Sequence, residues 1–209
     1  MLDSIAWRST EADLLIYTNA CPDGICFWSP QLDLGCYGPV VCTYHDLPIF
    51  FHKARAVVCT LHLLCHLGFR DLHCLVVYMD NTDTVNIFHS LKAHGLYNEL
   101  LKIAIDLLMC HDLDLRVLHL PGISNMIADV LSRHFLDLVS ELRPSLAVLP
   151  YQLLLSLQRL HINEFHSVAY QTTPGPLVAQ APSFLVRVLY RILLSPVIAP
   201  LVHLSLTVL

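Results

Sequence analysis

Short apolar runs separated by turn residues make up the beginning of the chain. Residues 14–18 and 25–28 are two such runs, and the Cys-Pro-Asp-Gly sequence at 21–24 between them is typical of a tight turn. A third run at 37–44 contains the β-branched residues Val40, Val41 and Thr43, which lie between Pro39 and Pro48. These features predict three consecutive strands that form an antiparallel meander.

The next part of the chain combines helical periodicity with continuous apolar runs. Residues 49–67 carry apolar side chains at helical spacing without Gly or Pro, and Gly68 can end that helix. The run at 74–79 ends at Asp80 and is typical of a strand that is buried on both faces. The further predicted elements are a helix that begins with Thr82 or Asp83 as its cap, a helix over 97–110, a strand over 115–120, and a helix capped by Ser124 or Asn125.

This order of elements predicts an α/β fold with a mixed sheet of five strands and helices packed on it. The order is a three-stranded meander, then helix, strand, two helices, strand and helix. We therefore expect a lead-in over 1–12, a folded domain over 13–135, and a tail over 136–209 that is not an independent domain. Seven of the twelve prolines lie within 140–209, and this tail lacks a sustained heptad pattern of leucines.

The tail differs from the rest of the chain in its charge. Residues 1–150 contain nine Lys or Arg and sixteen Asp or Glu, whereas residues 151–209 contain three and one. The last eighteen residues, 192–209, carry no charge, which is close to the length of a membrane span. Because two prolines interrupt this segment, a transmembrane helix is the weaker interpretation, and we do not expect a membrane partner.

Composition narrows the class of protein. With 55% hydrophobic and 14% charged residues, the chain is not intrinsically disordered as a whole. A formal net charge of −5 gives no general electrostatic reason for tight nucleic-acid binding. The eight cysteines form no CxxC pair and are expected to be reduced thiols. The N-terminus has no signal-peptide pattern, so we expect an intracellular protein, cytoplasmic or nuclear.

Two carboxylates are candidates for chemistry. Asp80 directly follows the apolar run at 74–79, and Asp129 lies within the last predicted helix. Two acids that meet at the end of a sheet can hold Mg²⁺, which prefers oxygen ligands, and two such ions suit the cleavage of a phosphodiester. The alternative is that Asp80 caps a turn and Asp129 is a solvated helix residue.

Three stretches carry a resemblance to a known family. They are YMDNTDTV at 78–85, YNELL at 97–101 and RVLHLPGISNMIADVLSR at 116–133. Together they resemble the ribonuclease H domain of retroelement polyproteins, and the last one is similar to the signature H-x-PG-x-x-N-x-x-AD-x-LSR. The DNT-x-TV element is similar to that of fungal retrotransposons. The resemblance covers residues 13–135 and implies a ribonuclease H-like fold, an RNA/DNA hybrid as partner, and hydrolysis of its RNA strand with Mg²⁺.

The resemblance also assigns site residues. The family holds two magnesium ions with four carboxylates, and Asp80 and Asp129 match the last two of them. Asn19, in Thr-Asn-Ala, stands at the position of the first-strand acid, and Lys53 stands at the position of the first-helix glutamate. His119 matches a histidine that assists product release in the family. No small-molecule cofactor is implied.

The two replacements change the expected mechanism. They reduce the charge of the four ligand positions from four negative to one negative, and a lysine repels a metal ion at close range. We therefore expect weakened magnesium binding, impaired hydrolysis, and a salt bridge from Lys53 to Asp80 or Asp129. Other open hypotheses are a nuclease with compensated ligands, a non-catalytic nucleic-acid-binding or interaction module with this fold, and a small membrane-associated protein anchored by its tail.

Overall fold

The computed structural model describes residues 12–40, 47–66 and 72–151. The helices and strands within these ranges follow one another in the order β1 (Leu14–Ala20), β2 (Gly24–Ser29), β3 (Leu34–Pro39), α1 (Ile49–His66), β4 (Cys74–Met79), α2 (Thr82–Ser90), α3 (Leu96–His111), β5 (Asp114–His119), α4 (Met126–Ser132), α5 (Leu136–Leu142) and β6 (Ala147–Pro150). A single 3₁₀ turn over Gly122–Ser124 lies between β5 and α4.

The strands form one mixed sheet in the order β5-β4-β1-β2-β3-β6. The pairs β1–β2 and β2–β3 are antiparallel, as predicted for the meander, whereas β1–β4, β4–β5 and β3–β6 are parallel. The predicted α/β class with a mixed sheet is therefore confirmed. Because β1 lies in the middle of the sheet, its end is surrounded by neighbouring elements and can organise a site.

Two groups of helices bury the sheet. Helix α1 packs against β1, β2 and α3, and its side chains Phe51, Val57 and Leu61 are fully buried. Helix α4 packs on β1, β2 and β3, where Ala128 and Leu131 join a core cluster with Cys26, Trp28 and Val139. Strands β1 and β4 are covered on both faces of the sheet, which explains why their sequences contain continuous hydrophobic runs.

Some predicted boundaries are wrong. The third strand was expected over 37–44, but β3 begins at Leu34, because its pairing with Ser29 leaves only a four-residue connection between β2 and β3. Residues 41–46, where the expected strand ended, lie outside the described part. Helix α2 is capped by Asn81, not by Thr82 or Asp83, since the Asn81 side chain accepts a hydrogen bond from the Thr84 amide at 2.8 Å.

The sheet also contains one strand more than predicted. Strand β6 pairs in parallel with β3, and α5 packs on α4, although both elements lie in the segment that the sequence assigned to the tail. The Arg143 guanidinium bonds the Asp33 carboxylate at 2.9 Å and stacks over the Trp28 ring, which fixes the chain between α5 and β6. Residues that belong to the sheet therefore continue beyond 135 to Pro150.

None of the helices within the described ranges is both long and apolar enough to cross a membrane. The uncharged segment 192–209, on which the membrane hypothesis depends, lies outside the described residues.

Candidate functional site

The central strands bring two of the candidate residues side by side. Strands β1 and β4 are parallel, and Tyr17 and Tyr78 form the last pair of their ladder. Asn19 and Asp80 each lie two residues further along, and residues two apart in a strand point to the same face. The Tyr17 and Tyr78 rings stack with their centroids 5.1 Å apart, which keeps the two strands in register just before the site.

Lys53 forms an ion pair with Asp80. Lys53 is the fifth residue of α1, and its ammonium donates a hydrogen bond to Asp80 Oδ1. The Lys53 side chain is only 13% exposed and that of Asp80 only 21%, so the pair is mostly shielded from water. The expected salt bridge is thus present, and Lys53 does not face solvent.

Asn19 contacts the second acid of the site. Asn19 is buried, its Nδ2 donates a hydrogen bond to Asp129 Oδ1 at 3.1 Å, and its Oδ1 accepts one from the Ala20 amide at 2.8 Å. The side-chain oxygen, which is the atom that could bind a cation, is therefore used by the backbone. Asn19 acts here as a hydrogen-bond donor to a carboxylate.

Arg133, the residue directly after α4, neutralises the same carboxylate. Its Nε lies 3.2 and 3.1 Å from the two Asp129 oxygens, and its Nη2 lies 3.1 Å from Oδ1. This hydrogen bonding and the charge of Asp129 raise the pKa of Arg133 above its ordinary value. The motif at 116–133 ends with Arg133, but its sequence does not predict this contact with Asp129.

Helix α4 is attached to the β1–β2 hairpin at both ends. Asn125 Nδ2 donates to the Thr18 carbonyl at 2.9 Å, the Cys26 thiol donates to the Ala128 carbonyl at 2.9 Å, and the Cys21 thiol donates to the Ser132 carbonyl at 3.2 Å. The Ser132 carbonyl is one of the unpaired carbonyls at a helix end, so this thiol helps to cap α4. These bonds hold Asp129 over Asn19.

His119 occupies a less defined position. It is the exposed last residue of β5 and is paired in register with Met79, the residue before Asp80. The turn that follows approaches the site, because a Cβ built on Gly122 would lie 3.7 Å from Asp80 Oδ2. His119 is therefore at the same edge of the sheet as the candidate acids, and its role stays a prediction.

These residues do not fit a two-magnesium site. Within the described ranges, no group of three or more His, Cys, Asp or Glu side chains could hold a metal ion. Asp80 is paired with Lys53, and Asp129 is paired with Arg133 and Asn19. Magnesium requires several oxygen ligands in octahedral geometry, and here the two carboxylates already have cationic partners from the protein itself.

Comparison with known proteins gives a similarity of structure only. No protein-family model matches the chain, and no curated protein matches it. Among solved structures, LC11-RNase H1 in complex with an RNA/DNA hybrid has a TM-score of 0.48 at 17% identity and covers 58% of this chain and 94% of its own. RNase H1 from the halophilic archaeon Halobacterium salinarum NRC-1 has a TM-score of 0.47 at 14% identity, with 59% and 97% covered.

A further structure of LC11-RNase H1, isolated from compost by a metagenomic approach, has a TM-score of 0.43 at 18% identity. It covers 59% of this chain and 95% of its own. These identities and TM-scores are too low to carry a function from those enzymes to this chain.

Proposed function

We propose that this chain is a ribonuclease H-like domain of retroelement origin that associates with RNA/DNA hybrids and no longer hydrolyses their RNA. The proposal places it in an intracellular compartment, cytoplasmic or nuclear. Two kinds of support are independent of each other: the residues of the three motif stretches, and the connectivity of the sheet.

The connectivity agrees with what the motifs imply. An antiparallel meander is followed by two parallel strands on the far side of β1, and the motif at 116–133 provides β5 and α4. Three residues of that motif make defined contacts: Asn125 bonds the Thr18 carbonyl of β1, Asp129 accepts a hydrogen bond from Asn19, and Arg133 bonds Asp129. Asn125 and Asp129 thus attach the motif to β1, and Arg133 pairs with the Asp129 carboxylate.

The main support for the proposed loss of hydrolysis is the Lys53–Asp80 ion pair. With Arg133 on Asp129, the site contains two cations and two carboxylates, so its net charge is zero. Two-metal hydrolysis of a phosphodiester needs enough negative charge to hold two divalent ions a few Å apart. A neutral site whose acids are already paired does not supply it.

A cleavage assay tests this proposal. An RNA/DNA hybrid with a fluorescent label on the RNA strand is incubated with the full chain in Mg²⁺ and, separately, in Mn²⁺. We expect no cleavage above the background of an Asp80→Asn variant. Metal-dependent cleavage by the wild type that disappears in Asp80→Asn or Asp129→Asn would contradict the proposal and would favour a nuclease with compensated ligands.

Hybrid binding is tested separately by fluorescence anisotropy. We expect an affinity that falls with rising salt and does not require Mg²⁺, because contacts to the phosphate backbone are electrostatic. Equal affinity for the hybrid, for double-stranded DNA and for an unrelated polyanion would contradict hybrid association and would leave a general interaction module.

The retroelement origin is tested by the genomic sequence next to the gene. We expect a reverse transcriptase frame upstream, intact or interrupted by stop codons. A locus without retroelement sequence on either side would contradict this part of the proposal and leave the enzymatic part untouched.

A further inference from the structure

Lys53 occupies the position at which the resemblance implies a metal ligand. Its contacts show that its ammonium is held at the Asp80 carboxylate. Its ammonium bonds Asp80, and its side chain is 13% exposed, so that most of its length lies against protein. The residues on both sides of it, His52 and Ala54, are buried, which fixes this turn of α1 in place. The charge of Lys53 is thus held at the carboxylate by a rigid element.

The pair also connects parts of the chain that are distant in sequence. Lys53 lies on α1 and Asp80 lies directly after β4, 27 positions later. A divalent ion shared by acids on α1 and β4 would link the same two elements. In this chain a single hydrogen-bonded ion pair makes that link, and it needs no ligand from solution.

We propose that the Lys53 ammonium replaces a divalent cation as the resident cation of this site and serves as a metal-independent latch between α1 and the end of β4. A cation from solution would have to displace an ammonium that the chain itself keeps at the carboxylate. The protein therefore folds to the same stability with or without divalent metal. This inference goes beyond the loss of hydrolysis, because it concerns what holds the site together.

The same geometry predicts that one substitution creates a cation site. Lys53→Glu places a carboxylate at the position of the ammonium, next to Asp80, so that two acids approach each other and repel. A divalent cation relieves that repulsion and binds the folded state only, which raises its stability by mass action. The wild type has no such repulsion, because Lys53 carries a positive charge next to Asp80.

The test is thermal unfolding of the full chain under three conditions: in EDTA, in about 10 mM Mg²⁺, and in about 10 mM Mn²⁺, all at the same ionic strength. We expect the same melting temperature for the wild type in all three conditions. Lys53→Met is expected to melt lower by on the order of 5 °C, because Asp80 loses its partner in a shielded place, and to remain insensitive to metal. Lys53→Glu is expected to melt lowest in EDTA and to recover partly with either metal.

Lys102→Met is the matched control, because Lys102 also pairs with an acid, Glu99, but is 60% exposed on α3. It should leave the melting temperature nearly unchanged. A wild type whose melting temperature rises with Mg²⁺ or Mn²⁺ would overturn the inference, as would a Lys53→Met variant as stable as the wild type. If Lys53→Glu does not fold, the melting temperature of the wild type with and without divalent metal still tests the inference.

The outcome can be separated from that of the proposed function. Hybrid cleavage by the wild type would contradict the loss of hydrolysis, whereas a metal response in wild-type melting without any cleavage would contradict only the latch.

Discussion

Gly24 lies where the β1–β2 hairpin meets the end of α4. A Cβ at this position would come within 2.3 Å of the Ser132 carbonyl oxygen and 2.6 Å of His134 Nε2. The first of these atoms belongs to the backbone of the helix that carries Asp129. A side chain at position 24 would therefore push α4 away from Asn19.

We expect Gly24→Ala to lower the free energy of unfolding by about 2 kcal/mol, because an overpacked contact forces the backbone to shift. Urea unfolding of the full chain measures this. Gly122→Ala is the matched control, since its nearest neighbour would be an Asp80 oxygen at an ordinary 3.7 Å, and it should change the free energy by less than about 0.5 kcal/mol. Equal effects of the two substitutions would contradict the close contact.

Individual site residues were predictable from the sequence to different degrees. Asn19, Lys53, Asp80 and Asp129 were found because short motifs fix which positions face a site, and the structure gives each of them a specific partner. Cys21 and Cys26 were expected only to be reduced thiols, like the other cysteines. Their hydrogen bonds to α4 depend on tertiary contacts across more than 100 residues, and spacing along the chain contains no signal for such contacts.

At the scale of elements, α4 depends on its attachment to the central strands. Met126–Ser132 is only seven residues long, which is too short to be stable alone. Its first turn is held through Asn125, whose amide bonds the Thr18 carbonyl inside the core. The short helix is thus positioned by side-chain bonds to β1 and β2.

We expect Asn125→Ala to lower the free energy of unfolding by about 1–3 kcal/mol, because it leaves a buried strand carbonyl without that donor. Urea unfolding is again the measurement, with Asn86→Ala at an exposed position of α2 as the control. A loss no larger than that of the control would show that the bond to Thr18 does not hold α4.

The strength of the local pattern explains which elements were predicted. Strand β4 was identified over its full length because burial on both faces produces an unbroken apolar run that ends at a charged residue. Strand β3 was misplaced, since Leu34-Gly35-Cys36 has no alternation of apolar and polar residues. A Cβ at Gly35 would lie 3.2 Å from Leu131 and 3.3 Å from Leu146, a tertiary contact that the local pattern does not indicate. Strand β6 has four residues, and its place depends on pairing with β3 rather than on its own pattern.

At the scale of the whole molecule, buried thiols link stability to alkaline pH. Burial raises the pKa of Cys36 and of Cys59 to about 12, and it also raises the pKa of Cys26. The unfolded chain loses these protons near the ordinary thiol pKa, whereas the folded chain keeps them. Above that pH the folded state binds more protons, so its stability falls as pH rises.

We expect each fully buried thiol to cost about 1.4 kcal/mol of unfolding free energy per pH unit above its ordinary pKa. Urea unfolding at pH 8 and pH ~10 should show this loss, and Cys59→Ala should reduce the pH dependence by about the share of one thiol. A pH dependence that is identical in wild type and Cys59→Ala would contradict the assignment to that thiol.

We expect Lys53 and Asn19 to deprive the site of the negative charge that magnesium needs. The double change Asn19→Asp with Lys53→Glu adds three negative charges to the four ligand positions, and each single change adds fewer. The restored set would have four carboxylates around the ends of β1 and β4 and on α1 and α4.

Isothermal titration of Mg²⁺ into the full-length wild type and the double variant measures this effect on magnesium binding. We expect no measurable binding to the wild type at millimolar magnesium and clear binding to the double variant, with each single variant in between. Saturable binding of Mg²⁺ to the wild type at millimolar concentration or below would contradict this expectation, because a site neutralised by Lys53 and Arg133 should not hold the ion.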